Sequence, residues 1–222
     1  MTSQRVLVTG FEAFGGSAYN PSAEVAQALD KAKIVGHAVV GRILPVDFAR
    51  NCSAVAELLS EVKPVLYIAF GLYGGEDMVR IERLGVNLAD FEIPDNAGLR
   101  HSGHKIELEG PDARSSTFPH AEIRAAMIAA GIPARLSNSA GSYLCNATLY
   151  SSLRLCAESP EPPLCGFIHL PYATHQVAAL LQDSGGKPPP LTQDAAAPSL
   201  AIGTMIEAGR IAITTSVRVL SN

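Results

Sequence analysis

Tryptophan is absent from this 222-residue chain, and the aromatic residues together make up only 6% of it. A core must therefore be filled by Ala, Leu, Ile and Val, and the 47% hydrophobic content is enough for one sizeable domain spanning residues 1–222. Blocks of Lys or Arg long enough to follow a phosphate backbone are also missing, and the formal charge is −4. Nucleic-acid binding is not expected from such a balance. Polar residues interrupt every apolar stretch well short of the roughly 18 residues that cross a bilayer, so no membrane role is expected. Met1-Thr2-Ser3-Gln4-Arg5 runs into Val6-Leu7-Val8 without the charged leader and apolar region of a secretory signal. The expectation is a soluble, cytoplasmic protein.

Paired-cysteine motifs are missing too. Cys52, Cys145, Cys156 and Cys165 form no C-x-x-C pair and have no His at zinc-finger spacing, so neither a metal site nor a disulfide framework is expected. Cys52, Cys156 and Cys165 read as small buried hydrophobes. Cys145 differs in its setting, because Ser139-Ala140-Gly141-Ser142-Tyr143-Leu144-Cys145-Asn146 passes from a strand-like run through small residues into a helical pattern. A thiol in the first turn of a helix faces unpaired N–H groups and the positive end of the dipole, so its thiolate is expected to be favoured and nucleophilic.

Short runs rich in Val, Ile and Leu predict strands at 5–9, 37–44, 65–70, 82–88, 134–139 and 165–170. Helical periodicity predicts helices at 21–31, 48–61, 119–131, 144–157 and 198–218. Asn20-Pro21 starts the first helix, and Gly131 with Pro133 stops the third. This alternation implies a three-layer α/β/α sandwich around a mostly parallel or mixed twisted sheet, with its site at the carboxyl ends of the strands. Residues 91–118 read as a loop or lid excursion, and 184–197 as a surface linker before the last helix. No internal repeat is present.

Three groups fall near strand ends on separate parts of the chain: Cys145, His169 and Glu82. A thiol nucleophile needs an imidazole to take its proton and return it to a leaving amine, and a carboxylate to hold that imidazole in one tautomer. Spacing alone does not bring the three together, and each has an ordinary structural or surface role open to it. Gly10-Phe11-Glu12-Ala13-Phe14-Gly15-Gly16 lacks both G-x-G-x-x-G and Gly-Lys-Ser/Thr, so it carries no phosphate-loop signature.

Five segments occur in an order that resembles pyroglutamyl peptidase type I, the pyrrolidone carboxyl peptidase family of cysteine peptidases. They are Val6–Gly16 with Asn20-Pro21-Ser22, Glu82-Arg83-Leu84-Gly85-Val86-Asn87, Ile93-Pro94-Asp95-Asn96, Gly141-Ser142-Tyr143-Leu144-Cys145-Asn146, and Gly166-Phe167-Ile168-His169-Leu170-Pro171-Tyr172. The resemblance implies removal of an N-terminal pyroglutamyl residue from small peptides, with Cys145 as nucleophile, His169 as acid–base and Glu82 as the acidic member. It further implies no metal or organic cofactor, and assembly as a homo-oligomer, dimer or tetramer. A flat, neutral lactam calls for aromatic walls, which the resemblance assigns to Phe11 and Phe14, with Tyr143 adding a ring beside the nucleophile. Packing of the turn is the alternative role for both Phe residues. Asn20 either caps the first helix or lies near the substrate.

The chain departs from the family at Leu72, where many members have Gln, at Glu76, where many have Arg, and at Glu92, where many have Arg before Ile-Pro-Asp-Asn. Leu72 cannot hydrogen-bond a lactam, and Glu92 removes or reverses cationic help at its position, with Arg83 or Arg100 as possible substitutes. Two other readings follow: a homologue that binds lactams without turnover, and a nucleoside-phosphorylase-like enzyme, which would need a phosphate site.

Overall fold

The structure, a computed structural model, describes residues 4–183 and 197–221. Its elements in chain order are β1 (Arg5–Phe11), α1 (Pro21–Leu29), β2 (Lys33–Ile34), β3 (His37–Leu44), α2 (Phe48–Val62), β4 (Leu66–Leu72), β5 (Val79–Glu82), β6 (Leu84–Val86), β7 (Ala113–Ser115), α3 (His120–Ala129), β8 (Ala134–Ser137), α4 (Leu144–Ala157), β9 (Leu164–Leu170), β10 (Tyr172–Ala173), α5 (Thr174–Asp183), β11 (Ser199–Leu200) and α6 (Ile202–Val219).

Seven strands form one sheet in the order β2-β3-β1-β4-β9-β5-β8. The pairs β3/β1, β1/β4, β4/β9 and β5/β8 are parallel, whereas β2/β3 and β5/β9 are antiparallel. Central strands read as unbroken apolar runs because both faces are covered. Alternate side chains go to opposite faces: Val6, Val8, Leu66, Ile68 and Phe70 meet α1, α3 and α6, while Leu7, Tyr67 and Ala69 meet α2 and α4. Each fully buried aliphatic side chain contributes roughly 1.5–3 kcal/mol against exposure. A side chain at Gly10 would lie 2.1 Å from the Ser22 carbonyl, so the close seat of α1 on β1 requires glycine there.

The helix starts follow local chemistry. Asn20 accepts from Ser22 N–H at 3.1 Å ahead of Pro21, and Asp47 accepts from Arg50 N–H at 3.1 Å. Helix α4 lacks a side-chain cap, leaving its first N–H groups for another use.

The predicted strand at 37–44 and helix at 144–157 match the observed elements at both ends. The strand expected at 82–88 is instead two: β5 ends at Glu82, and β6 begins after Arg83 and turns away to pair with β7. Antiparallel pairing with β9 and parallel pairing with β8 anchor β5, which no local pattern reports. Helix α5 was not predicted, and α6 starts at residue 202 rather than 198 because Ser199-Leu200 pairs with Tyr172-Ala173. The linker expected at 184–197 lies, apart from residue 197, outside the described residues.

The 91–118 excursion is packed onto the domain. Phe91 is buried against Phe48, His101 and Tyr143, and the Ala89–His104 bridge closes its first turn. Buried Asp95 accepts from the N–H groups of Phe48, Ala97 and Leu99, while Asn96 Nδ2 donates to Glu12 Oε1 and to the Ala13 carbonyl. The Pro-Asp-Asn run thus ties the excursion both to α2 and to the glycine-rich turn after β1.

Candidate active site

The carboxyl ends of β4 and β9, in the middle of the sheet, meet the start of α4, and the antiparallel strand β5 lies alongside β9. Glu82 is the last residue of β5 and His169 the penultimate residue of β9, and the antiparallel register sets Glu82 opposite Phe167 and Arg80 opposite His169. His169 Nδ1–H donates to Glu82 Oε1 at 2.8 Å, with His169 1% and Glu82 0% exposed. That bond fixes the tautomer and leaves Nε2 as the unprotonated nitrogen.

Cys145, the second residue of α4, lies against Gly71, which is paired with His169 across the β4/β9 ladder. A side chain at Gly71 would come within 2.8 Å of Cys145 Sγ and 2.7 Å of the Phe167 ring. Only glycine leaves room for the sulfur over this face of the sheet.

The surroundings of the thiol work against the expected thiolate. Burial pushes the Cys145 thiol up to about 12, the Glu82 charge adds to that, and its own backbone N–H only partly offsets them. Burial also holds His169 below the ordinary 6.5 despite the raising influence of Glu82. Desolvation thus works against the helix dipole at the half-buried thiol and against the charge of Glu82 at the ring.

Aromatic side chains border the site. Phe14 and Tyr143, both half-buried, face each other at 5.9 Å, with Phe91 edge-on behind Tyr143 at 4.8 Å. Tyr143 Oη donates to the Pro94 carbonyl at 3.1 Å. Phe11 is buried beneath, 6.3 Å from Phe167, and belongs to the packed core under the site. Leu72 is half-buried at the end of β4. Asn20 is buried, with its oxygen on Ser22 and its amide donating to the Glu12 carbonyl, so both polar ends are committed to the α1 cap.

The departures from the family pattern also find their places. Glu76 pairs with Arg80 at 2.9 Å and with Arg135 at 2.6 Å. Glu92 is exposed, and its carbonyl accepts from Arg100. Arg83 turns outward to Asn138 at 2.7 Å.

Three neighbours were missed in the sequence. Tyr73 sits edge-on to His169 at 5.1 Å, and Phe91 backs the aromatic wall. Arg80 is buried beside Glu82, with Nε 3.1 Å from Oε1 as an ion pair whose N–H is not aimed at the oxygen. Strand alternation was a usable signal for Arg80, because residues 80 and 82 share one face; nothing local marked the other two. Asn146 serves the fold rather than the chemistry. Its amide donates to the Val86 and Leu88 carbonyls and its oxygen accepts from Val86 N–H, each at 2.9 Å.

A helix-borne thiol facing the strand ends that carry a buried imidazole–carboxylate pair, on an open α/β sheet, is the arrangement of a cysteine peptidase. The model of the pyroglutamyl peptidase family matches residues 4–219. The pyrrolidone-carboxylate peptidase of Pyrococcus furiosus is 43% identical over 173 residues, covering 78% of this chain and 83% of that protein. Its counterpart from Enterobacter sp. (strain 638) is 37% identical over 215 residues, covering 97% and 94%. The crystal structure of pyrrolidone carboxyl peptidase from the hyperthermophile Pyrococcus furiosus superposes with a TM-score of 0.90 at 38% identity, covering 98% of this chain and all of that one. The chain belongs to the pyroglutamyl peptidase family.

Among the described residues, no group of three or more His, Cys, Asp or Glu side chains is placed to hold a metal ion, and no helix is long and apolar enough to cross a membrane.

Proposed function

We propose that this chain is a single-domain cysteine exopeptidase that hydrolyses the bond after an N-terminal pyroglutamyl residue of small peptides. Family membership supplies the reaction, and the observation that carries the assignment of residues is the buried 2.8 Å contact between His169 Nδ1 and Glu82 Oε1. His169 Nε2 takes the Cys145 proton as the sulfur attacks the pyroglutamyl carbonyl. The resulting imidazolium protonates the departing amine as the C–N bond breaks and a thioester remains. Water, deprotonated by the same imidazole, then displaces the thiol and releases pyroglutamate. Glu82 orients the ring and stabilises its charged form.

The uncapped first turn of α4 supplies N–H donors for the oxyanion, a contribution of about 3 kcal/mol per donor. Phe14 and Tyr143 form the wall for the lactam. Leu72 adds apolar contact but no hydrogen bond, so discrimination of the ring falls to backbone groups and shape, a difference of roughly tenfold to a hundredfold in selectivity. No cofactor enters the scheme. The family likeness carries with it self-association as dimer or tetramer, which light scattering on the purified chain tests, and the sequence expectation of a cytoplasmic location is kept as part of this reading.

Turnover of pyroglutamyl-coumarin beside prolyl- and glutamyl-coumarin tests reaction and ring recognition together. Release of coumarin from the first substrate alone is expected, and Cys145→Ser should lower it by about 10⁴-fold or more with the fold retained. Tight binding of a lactam analogue without turnover would favour the non-catalytic reading that Leu72 and Glu92 suggest. Phosphate-dependent activity would favour the phosphorylase reading.

A further inference from the structure

We propose that Arg80 is a positioning residue for this chemistry, a buried cation that holds Glu82, the loop after β4 and the approach to the nucleophile in one unit. This inference rests on the peptidase reading above.

A guanidinium taken out of water is retained only where its N–H groups find partners and its charge is matched. Arg80 is 6% exposed. Nη1 donates to Glu76 Oε1 at 2.9 Å, and Nη2 donates to Ser137 Oγ at 2.8 Å and to the Ser139 carbonyl. The guanidinium carbon lies 4.1 Å over the ring of Tyr73, whose edge meets His169, and Nε lies beside the same Glu82 oxygen that accepts from His169. Ser139 lies six residues before Cys145 in the connection that delivers α4, so one planar side chain joins the acid, the imidazole's aromatic neighbour and the run leading to the thiol. A lysine could supply the charge but not this fork.

Charge balance gives the arrangement a measurable consequence. The ionisable groups around His169 are Glu82 and Arg80 on β5, Glu76 and Tyr73 from the loop after β4, Arg135 on β8 acting through Glu76, and Cys145 on α4. Two carboxylates face two guanidiniums. Removing Arg80 leaves one uncompensated negative charge beneath the thiol–imidazole pair, which then holds its extra proton to higher pH.

The test compares Arg80→Met and Arg80→Lys with the wild type, reading kcat and KM on pyroglutamyl-coumarin and the pH dependence of iodoacetamide capture by Cys145. Arg80→Met should shift the acid limb of kcat/KM and the onset of alkylation upward by about one pH unit. Its kcat should fall about 10- to 100-fold with KM changed far less. Arg80→Lys should keep the wild-type limb while kcat still falls. An Arg80→Met profile that differs from wild type only in amplitude would overturn the proposal, as would full kcat in Arg80→Lys, which decides the matter if the Met variant does not fold. If the wild type turns over no pyroglutamyl substrate, the peptidase reading fails, whereas the alkylation shift still reports on Arg80 independently.

Discussion

At Cys145 two influences oppose each other, and magnitude decides between them. The helix start favours a thiolate by roughly 0.3–1 kcal/mol at exposed sites, but burial against Gly71 and Phe167 with Glu82 nearby pushes the thiol up to about 12. In the proposed mechanism, proton transfer to His169 then accompanies attack, which makes the orientation of the ring costly to lose. Glu82→Gln should lower kcat strongly while leaving measurable turnover, since the base survives without its fixed tautomer; unchanged kcat would remove Glu82 from the mechanism. Gly71→Ala probes the space for the sulfur. Its methyl group would collide with Sγ at 2.8 Å and with the Phe167 ring at 2.7 Å, so kcat/KM should drop by about 100-fold and stability by about 1–3 kcal/mol in urea titrations.

Among the elements, α4 shows how a strong local pattern and a non-local anchor combine. Its limits at 144 and 157 follow from periodicity, but its position relative to β6 depends on Asn146, whose three hydrogen bonds reach residues 86 and 88. Asn146→Ala leaves those buried backbone groups unpaired, and unfolding free energy should fall by about 2–3 kcal/mol in urea. A loss under about 0.5 kcal/mol would mean that water replaces the amide. The same contrast explains the failures of sequence reading. Residues 82–88 look like one strand because Arg83 does not break their apolar character, yet the chain changes sheets there. Ser199-Leu200 looks like part of the last helix until Tyr172-Ala173 pairs with it from 27 positions upstream.

Across the molecule, two desolvated histidines, the buried His169 and the half-buried His120, couple folding to pH. His169 and His120 are both held below the ordinary 6.5, chiefly by burial. The unfolded chain then binds more protons than the folded one once the pH drops below about 6.5, so stability is complete above that value and declines as acid is added. Urea midpoints should fall between pH 7.5 and pH 5.5, and His120→Gln should lessen the fall. A midpoint that rises on acidification would contradict the downward push on both rings.

Composition, alternating strand and helix periods, and cap and turn residues were enough by themselves to indicate an α/β sandwich and the approximate course of its main strands and helices, since these are encoded within a few neighbouring residues, whereas Cys145, His169 and Glu82 were joined only through the family resemblance. Tertiary structure alone decided that Glu82 and His169 touch across an antiparallel pair, that Arg80 lies beneath them, that Phe11 is core while Phe14 faces Tyr143, and that Asn20 is spent on a helix cap. It also set desolvation against the helix dipole at Cys145, because desolvation depends on every group packed around a sulfur and most of those groups are far away along the chain.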